Sequence, residues 1–400
     1  LIKDSSILAG KLLALAASES ISSYFFGVVP LFVFMGNVVS ATGMGEDAYD
    51  VANQAFRKIR GGLAIGTVGA NAVFAAITGI SIASAAVFTK IAVPHMIKFG
   101  YSQRFSVGVV AGSSVLGMLI PPSLLLILYG ILTEQSIGDL FIAAIIPGIL
   151  LAMVFGFGIL LLSFFWPSFV HSKKENYKPD LELMQLGEFL QKGAPLVILI
   201  VVVLGGIYGG FFTPIEAGAI GSSGAVLIGL IKRRLSLATL WGVLVETGYI
   251  TAAISFLIIA AQMYARMLAL SGMPSEFGSF VVSSEFSIIS MILLYILLVI
   301  LMGTILDSGS IMLILVPLMY PILVSLNIDL IWFGIVTVIA VEVGLLTPPL
   351  GISVFVIKSS LDDKSITLGD IFIGAFPFAI MMIVVLFLVI VFPQLTNFLL

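Results

Sequence analysis

The stretch Gly117-Met118-Leu119-Ile120-Pro121-Pro122-Ser123 decides how the chain folds. It interrupts an apolar segment, Phe105 to Thr133, that is long enough to cross a lipid bilayer. Two consecutive prolines remove two backbone donors and clash with the preceding turn, so no continuous helix runs through them. Irregular backbone at membrane depth is tolerated only where it is packed in protein or lines a cavity. We therefore predict a broken membrane helix in the protein interior.

The composition around this stretch is that of a helical membrane protein. Of 400 residues, 60% are hydrophobic and 10% are charged, with a mean hydropathy of +1.22, whereas soluble chains carry about 25% charge. The alternating ten-residue segments of an outer-membrane barrel are absent from the sequence. With no Cys and only two His, disulfides, iron–sulfur clusters and multi-His zinc centres are excluded. We expect the lipid bilayer as a partner, and no nucleic acid.

Other apolar segments are predicted to be uninterrupted spans. They lie near residues 22–42, 140–166, 193–212, 213–231, 250–271 and 371–392. Gly61 to Thr89 is also uncharged, but it has a polar centre at Thr78 to Ser84 and basic residues on both flanks. A single span would place basic clusters on both faces of the membrane. We therefore predict a re-entrant hairpin with its tip at Thr78 to Ser84.

With this topology the basic residues gather on one face. Fifteen of the 18 Lys and Arg fall there, whereas the opposite loops hold only acids: Glu134, Asp139, Glu276, Glu285 and Asp329. The positive-inside rule makes the basic face cytoplasmic. Lys3 and Lys11 belong to an N-terminal stretch that the pattern does not place, and Arg266, near an outer span end, is interpreted as snorkelling to the interface.

The polar stretch from His171 to Lys192 separates the two halves of the chain. Its part from Asp180 to Gln191 has the pattern of an amphipathic helix on the cytoplasmic surface. Two roles are open for it: a structural bracket, or a docking site for another subunit.

The chain contains an internal repeat. Ala41-Thr42-Gly43-Met44 matches Leu270-Ser271-Gly272-Met273, Ile120-Pro121-Pro122 matches Thr347-Pro348-Pro349, and Ser136 to Ile142 matches Thr367 to Ile373. An odd number of predicted crossings separates the copies, so the repeat is inverted. It predicts a second hairpin, Ser287 to Ser325 with a tip at Gly303 to Ser310, and a second broken span, Ile331 to Lys358.

Two hairpin tips and two breaks are the arrangement of a secondary transporter with sites near the bilayer midplane. The alternative for each Pro-Pro break is a simple kink. Backbone carbonyls at Gly117 to Pro122 and at Gly344 to Pro349 are oxygen ligands suited to Na⁺. The hydroxyls of Thr78, Ser81, Thr304 and Thr347 add to this ligand set.

Four ionisable residues lie in or near apolar segments, where burying a charge costs roughly 2.5 to 3.5 kcal/mol or more. Glu216 is interpreted as closing a turn at a span end, and Arg266 as snorkelling to the interface. Asp307 either caps a half-helix or touches a bound cation. Glu342 either carries a proton or packs through hydrogen bonds.

The sequence resembles a known family, the large membrane subunits of tripartite ATP-independent periplasmic (TRAP) transporters of the dicarboxylate and sialic acid type. The resemblance covers essentially the whole chain. It is carried by Pro30 to Asn37, Arg60 to Ala64, Phe74 to Gly79, Leu116 to Ser123, Phe212 to Ala217 and Glu342 to Gly351.

This resemblance implies a multi-pass protein of the bacterial inner membrane that imports an organic acid with Na⁺ by an elevator mechanism. It implies two partners, a small four-helix membrane subunit and a periplasmic substrate-binding protein. The sequence lacks, before Leu1, the N-terminal helix region usual in the family. One implied Na⁺ site comprises Thr78, Gly117, Ile120 and Pro122, and the second comprises Gly303, Thr304, Gly344 and Thr347. The candidate substrate contacts beside them are Ser81, Ser123, Asp307 and Ser353.

Three positions depart from the family's pattern. The first tip reads Thr78-Gly79-Ile80-Ser81 where consecutive serines are common, Ala340 stands where Asn is common, and Ser353 replaces a frequent Asn. These departures touch both implied sodium sites.

We accordingly predict an all-α polytopic membrane protein with an inverted repeat, two re-entrant hairpins and two broken helices. Residues 61–135 and 286–360 form the two parts of a transport domain. Residues 1–60, 136–285 with the cytoplasmic linker 167–192, and 361–400 form a scaffold. The predicted function is Na⁺-coupled import of an organic acid such as a C4-dicarboxylate or sialic acid, and not an enzymatic reaction. The alternatives are a stand-alone Na⁺- or H⁺-coupled carboxylate symporter and, from another class, a channel or membrane-embedded enzyme.

Overall fold

A computed structural model of the chain describes residues 6–22, 24–172, 184–272, 276 and 287–400. Across these residues the regular structure is helical, apart from an isolated antiparallel bridge between Tyr101 and His171. Seven of the described helices are long and apolar enough to cross a membrane, or eight if one bent pair counts as a span. The predicted class of all-α polytopic membrane protein is confirmed.

The helices of the first half are α1 (Ser6–Ser22), α2 (Val28–Ala41), α3 (Met44–Phe56), α4 (Gly62–Thr78), α5 (Ser81–Lys98), α6 (Gln103–Ser114), α7 (Leu116–Leu119), α8 (Leu124–Thr133), α9 (Ile137–Phe165) and α10 (Pro167–Val170). Those of the second half are α11 (Leu186–Tyr208), α12 (Pro214–Ile231), α13 (Leu237–Ser271), α14 (Ile288–Gly303), α15 (Ser308–Ser325), α16 (Leu330–Leu345), α17 (Ile352–Ser360), α18 (Leu368–Val391) and α19 (Gln394–Asn397).

The first predicted hairpin is formed by α4 and α5. Only Gly79 and Ile80 separate the two helices, and Gly79 takes the left-handed conformation (φ 63°) that favours glycine. The rings of Phe74 and Phe88 meet edge to face at 5.5 Å, so the two arms pack against each other. The following helix is broken as expected, because α7 ends at Leu119 and α8 begins only after the extended segment Ile120 to Ser123.

The second half repeats this order. Helices α14 and α15 form a hairpin whose tip is Thr304 to Asp307, and the two arms are in contact. Helix α16 ends at Leu345, and α17 begins after Gly351, which has a positive φ of 58°. The peptide bond between the two prolines is cis in both breaks. Both predicted hairpins and both predicted broken helices are therefore present.

Burial separates the interior helices from the outer ones. In the most apolar 18-residue segment of the first broken helix, Gln103–Thr133, 78% of the residues are buried. In the most apolar 18-residue segment of α13, 22% are buried. Helices α11 and α12 are also largely exposed. Apolar side chains on these outer helices meet lipid or other membrane helices. The first break lies inside the protein, whereas Pro348, Pro349 and Leu350 of the second break are exposed.

The first predicted span, near residues 22–42, is confirmed at its end but begins too early. Helix α2 has only 14 residues, is preceded by a 3₁₀ turn at Tyr24–Gly27, and bends by 69° into α3. The bend falls at Gly43, which has a φ of 70° and therefore ends the helix. Glu46 and Asp47 then start a new, amphipathic helix.

The separate surface helix predicted over Asp180 to Gln191 is not what the described part shows. From Leu186 onward the residues form the first turns of α11 and continue into the membrane span through Pro195. Lys192 forms an ion pair of 2.7 Å with Asp50 of α3, so this end of α11 braces α3. Residues 180–183 lie outside the described part, as do Lys3, Lys173, Lys174, Lys178 and Glu285.

Arg266 also differs from its prediction. Its guanidinium pairs with the carboxylate of Glu19, on the N-terminal helix α1 that packs along α13. The charge therefore has a partner within the protein, a contact that the snorkelling interpretation did not predict. The pair also fixes the N-terminal stretch that the sequence pattern could not place.

Candidate functional site

The first hairpin tip rests directly on the first break. The carbonyl of Gly79 accepts a hydrogen bond from the Leu124 N–H at 3.1 Å. A Cβ on Gly79 would lie 2.3 Å from the Pro122 carbonyl oxygen, and one on Gly117 would lie 2.9 Å from the Ser81 nitrogen. The contact is therefore one of backbone against backbone, which side chains at these glycines would prevent.

This contact brings together the first predicted set of Thr78, Gly117, Ile120 and Pro122. The Thr78 side chain is 2% exposed, and its hydroxyl donates to the Phe74 carbonyl at 3.0 Å, one turn back in α4. Ile120 is in an extended conformation at the start of the break. The backbone carbonyls of such an unwound segment are the groups with which transporters bind cations.

The second tip meets the second break in the same manner. The Thr304 carbonyl accepts hydrogen bonds from the N–H groups of Leu350 at 3.1 Å and Gly351 at 3.0 Å. Gly303 and Gly344 touch through their backbones, since a Cβ on either would lie 2.7 Å from the Cα of the other. With Thr347 at the start of the break, the second predicted set is also assembled.

The hydroxyls of the second set point back to their own helices. Thr304 donates to the Leu301 carbonyl at 2.8 Å, and Thr347 donates to the Val343 carbonyl at 2.7 Å. Each hydroxyl oxygen still has lone pairs to offer a cation. The arrangement therefore permits these side chains to act as ligands without losing the bond that orients them.

The four candidate substrate residues fall into two groups. Asp307 caps α15, because its carboxylate accepts from the Ser310 N–H at 3.0 Å and from the Ser310 hydroxyl, which confirms the capping alternative. Ser123 caps α8 by accepting from the Leu126 N–H at 3.3 Å. Ser81 and Ser353 are fully buried, and their hydroxyls have no hydrogen-bond partner among the described residues.

The predictions for two other ionisable residues have different outcomes. Glu216 forms a capping box with Thr213 at the start of α12, as expected for a residue that closes a turn. Glu342 is 1% exposed, and neither carboxylate oxygen has a hydrogen-bond partner among the described residues. The interpretation of Glu342 as a hydrogen-bonded packing residue is therefore wrong.

Half-helix ends dominate the electrostatics at the two contacts. Helices α4, α7, α14 and α16 end at the tips and breaks, and α5, α8, α15 and α17 begin there. Helix C-termini carry partial negative charge that favours cations, and helix N-termini favour anions. Within the described residues no three His, Asp or Glu come together, so any cation there would be held mainly by backbone and hydroxyl oxygens.

Helical hairpins that face broken helices inside a polytopic helical protein define a membrane transporter. The family model described as "Tripartite ATP-independent periplasmic transporter, DctM component" matches residues 3–395. The chain therefore belongs to this family, whose members are transporter permease subunits of the bacterial inner membrane and not enzymes. It is a multi-pass protein of that membrane.

Individual relatives agree with this assignment. The chain is 34% identical over 380 residues to the C4-dicarboxylate TRAP transporter large permease protein DctM of Pseudomonas aeruginosa, covering 95% of this chain and 86% of that protein. It is 28% identical to the sialic acid TRAP transporter large permease protein SiaM of Vibrio cholerae, covering 94% and 86%. In fold it is similar to the YdaH transporter of Alcanivorax borkumensis, with a TM-score of 0.62, 15% identity and coverage of 94% and 88%.

Proposed function

We propose that the chain is the membrane subunit of a Na⁺-coupled importer that takes up an organic acid delivered by a periplasmic binding protein. The observation that carries this proposal is the repeated contact between a hairpin tip and a broken helix, closed in each half by glycines. An ion held between two such elements binds only while they are together, so its binding is coupled to their arrangement.

The groups present at both contacts fit Na⁺. Each contact offers backbone carbonyls of an unwound segment. The first also has the hydroxyl of Thr78, and the second has those of Thr304 and Thr347. No Lys or Arg of the described residues lies in either tip or break. Na⁺ accepts oxygen ligands of this kind in transporters built from broken helices. We assign one Na⁺ to Thr78, Gly117, Ile120 and Pro122, and one to Gly303, Thr304, Gly344 and Thr347.

The proposed substrate is a carboxylate, because the relatives are named for C4-dicarboxylates and for sialic acid. The amino ends of α5, α8 and α17 lie beside the cation sites and favour an anion, whereas the amino end of α15 already binds the Asp307 carboxylate. Ser81, Ser123, Asp307 and Ser353 occupy these amino ends. We keep them as candidate substrate contacts, with Asp307 and Ser123 acting through the helix starts that they cap.

The two proposed partners follow from the family's description as tripartite. A small four-helix membrane subunit would cover exposed apolar helices of the scaffold, of which α13 is the least buried. A periplasmic binding protein would deliver the acid to the face with few basic residues.

For the elevator movement, we propose that α18 travels with the transport domain. Gly108 of α6 and Gly374 of α18 approach so closely that a Cβ on Gly108 would lie 2.1 Å from the Gly374 carbonyl oxygen. The ring of Phe378 fills the space beside Gly112 in the same interface. Such interlocked backbones leave no sliding surface, so the scaffold boundary expected at residue 361 moves beyond α18.

A cross-link tests the movement. A Cβ on Gly69 of the first hairpin would lie 3.9 Å from the Cβ of Ala52 in α3, a distance suited to a disulfide. The double variant Ala52→Cys/Gly69→Cys in this Cys-free chain should lose uptake when oxidised and regain it when reduced. The two single-cysteine variants should be insensitive to oxidant. Full uptake by the completely cross-linked protein would exclude a hairpin that moves against α3.

Uptake into proteoliposomes tests the proposed function itself. The chain, reconstituted with the small membrane subunit, should accumulate a labelled organic acid only with the binding protein outside and an inward Na⁺ gradient. Uptake of free acid without the binding protein would favour the stand-alone symporter. Uptake that persists when K⁺ replaces Na⁺ would contradict sodium coupling.

A further inference from the structure

Helix α16 carries a carboxyl group that no described residue neutralises. Glu342 lies two residues before Gly344 and is 1% exposed, and neither of its oxygens accepts a hydrogen bond from a described residue. The N–H groups at the start of α5 do not donate to it either. A buried carboxylate with no donor and no counter-charge is strongly unfavourable. The group therefore either carries a proton or binds a cation that the described residues do not supply.

Three buried hydroxyl groups on α5 and α17 have unused oxygens, and one of them, that of Ser81, lies beside Glu342. The Ser81 hydroxyl faces the Glu342 carboxyl, yet no hydrogen bond of good geometry joins them. Ser84 lies one turn further along the same face of α5, and Ser353 lies in the first turn of α17, which packs against both α5 and α16. All three serines are fully buried, and none of their hydroxyls has a hydrogen-bond partner among the described residues.

No cationic side chain of the described residues neutralises this cluster. The helices packed on α16 are α7, α8, α9, α14, α15, α17, α18 and α19, and they carry only Asp139, Lys358 and Asp370 as charged residues. Lys358 donates to the carbonyls of Lys364 and Ile366, and Asp370 pairs with Arg104. On α5, the basic residues Lys90, His95 and Lys98 lie six or more positions beyond Ser84 and are exposed.

We propose that Glu342, together with Ser81, binds Na⁺ at a third cation site. A carboxylate and a hydroxyl supply hard oxygen ligands, and the single negative charge balances a monovalent ion. A divalent ion would usually require more carboxylates. The inference deepens the proposed function, because it adds a cation to the same hairpin-and-break unit.

The third site belongs to one half of the repeat only. The offset of 227 residues between the two Pro-Pro motifs places Val115 of the first half opposite Glu342, and Val115 is fully buried. A carboxyl group from the second half therefore reaches the hairpin tip of the first half. The first half has no carboxyl group at the corresponding position. A cation at this position would bind the two halves together.

Equilibrium binding of radioactive Na⁺ to the full chain in lipid nanodiscs tests the site without transport. Glu342→Gln keeps the shape and removes the charge, so Na⁺ affinity at this site should fall at least about tenfold. The Na⁺-dependent rise in melting temperature should shrink, while the melting temperature without Na⁺ should increase because an unpaired carboxylate is removed. Glu216→Gln, at an exposed capping residue, is the matched control and should leave Na⁺ binding unchanged.

Variants at the other two proposed sites show to which site a loss of Na⁺ binding belongs. Thr78→Val and Thr347→Val report on the two tip-and-break contacts, so loss of binding in those variants alone supports the proposed function and overturns the third site. Loss in Glu342→Gln alone supports the third site and counts against the other two. Full Na⁺ binding and an unchanged Na⁺-dependent shift in Glu342→Gln would overturn the inference. Ser81→Ala, which retains the charge, should bind Na⁺ more weakly, and wild-type affinity in that variant would also overturn it.

Discussion

The two hairpin tips meet their breaks with the same backbone geometry but with different side chains. In each half a tip carbonyl, that of Gly79 or Thr304, accepts from an N–H group just before or at the start of the half-helix that follows the break. In the first half, α5 begins after Ile80 without a side-chain cap, whereas in the second half Asp307 caps α15. Glu342 of the second half supplies the carboxyl group that the first tip lacks.

The comparison shows which part of the site tolerates divergence. Both halves offer backbone carbonyls as ligands although few of their side chains match. The glycines and prolines determine the path of the backbone, and the neighbouring side chains can differ without changing that path. Side chains that differ, such as Ile80 against Asp307 and Val115 against Glu342, can give each half its own role. We therefore expect changes at the glycines to damage both halves, and changes at the side chains to damage them unequally.

The largest effect is expected at the glycines of the breaks. Gly344→Ala places a Cβ 2.7 Å from both the Gly303 Cα and the Ile300 carbonyl oxygen, and Gly117→Ala places one 2.9 Å from the Ser81 nitrogen. Backbone atoms cannot rotate away, so each change should destabilise the protein by about 1–3 kcal/mol and abolish uptake. Thermal unfolding and proteoliposome uptake measure both effects.

The matched control is Gly242→Ala in α13, where a Cβ would meet nothing within 4 Å. It should keep uptake and gain up to about 1 kcal/mol of stability from helix propensity. Wild-type stability and uptake in Gly344→Ala would show that the second contact is not tight, and the two halves would then not be equivalent.

The next effect is expected at the threonine hydroxyls. Thr78→Val and Thr347→Val keep the shape of the side chain and remove one oxygen from each proposed sodium site. Each should raise the Na⁺ concentration for half-maximal uptake by about three- to tenfold, since one polar contact is worth roughly 0.5–1.5 kcal/mol. Na⁺ activation curves at saturating substrate measure the shift.

Thr89→Val controls for the lost hydroxyl, because Thr89 is buried in α5 and donates to the Ala85 carbonyl at 2.6 Å away from the tip. Its Na⁺ dependence should match that of the wild type. If the Na⁺ concentration for half-maximal uptake shifts for Thr347→Val but not for Thr78→Val, sodium binding is limited to the second half. The two halves would then not be equivalent.

The smallest effect is expected at the repeated helix starts after the breaks. Ser136 caps α9 beside Asp139, and Thr367 and Asp370 form a capping box at α18. Only Asp370 of the two acids forms an ion pair among the described residues, with Arg104 at 2.7 Å. Asp370→Asn should cost about 1 kcal/mol, and Asp139→Asn a few tenths.

Thermal unfolding of the two asparagine variants compares these helix starts directly. Combining Asp370→Asn with Arg104→Gln should add little to the single change, because both remove the same ion pair. Equal losses for Asp139→Asn and Asp370→Asn would indicate that the ion pair between α6 and α18 contributes nothing to stability.

Much of the fold could be predicted because its decisive signals are local. The Pro-Pro motifs mark the breaks, and the repeat reveals a second hairpin whose arms are each long enough to be mistaken for spans. The late start of α2 at Val28 was not predicted, because no charged residue separates the 3₁₀ turn Tyr24–Gly27 from the apolar run that follows. The site could be predicted only where the backbone forms it.

Contacts between distant side chains left no trace in the sequence. The pair of Arg266 with Glu19 and the approach of Ser81 to Glu342 join residues that no periodicity relates. The depth of Glu342 in an apolar run marked it as unusual, but its surroundings depend on how the two halves pack. The close approach of Gly108 to Gly374 likewise requires the fold to be known.

The number of Na⁺ ions carried with each substrate molecule tests the central claim most directly. In proteoliposomes containing the chain with its partner subunits, the Na⁺ gradient that just balances an opposing substrate gradient gives this number. If each half of the repeat holds a cation, the balance point corresponds to at least two Na⁺ per substrate and does not move with a pH gradient. A balance point that ignores the Na⁺ gradient, or that corresponds to a single Na⁺, would contradict two equivalent sodium sites.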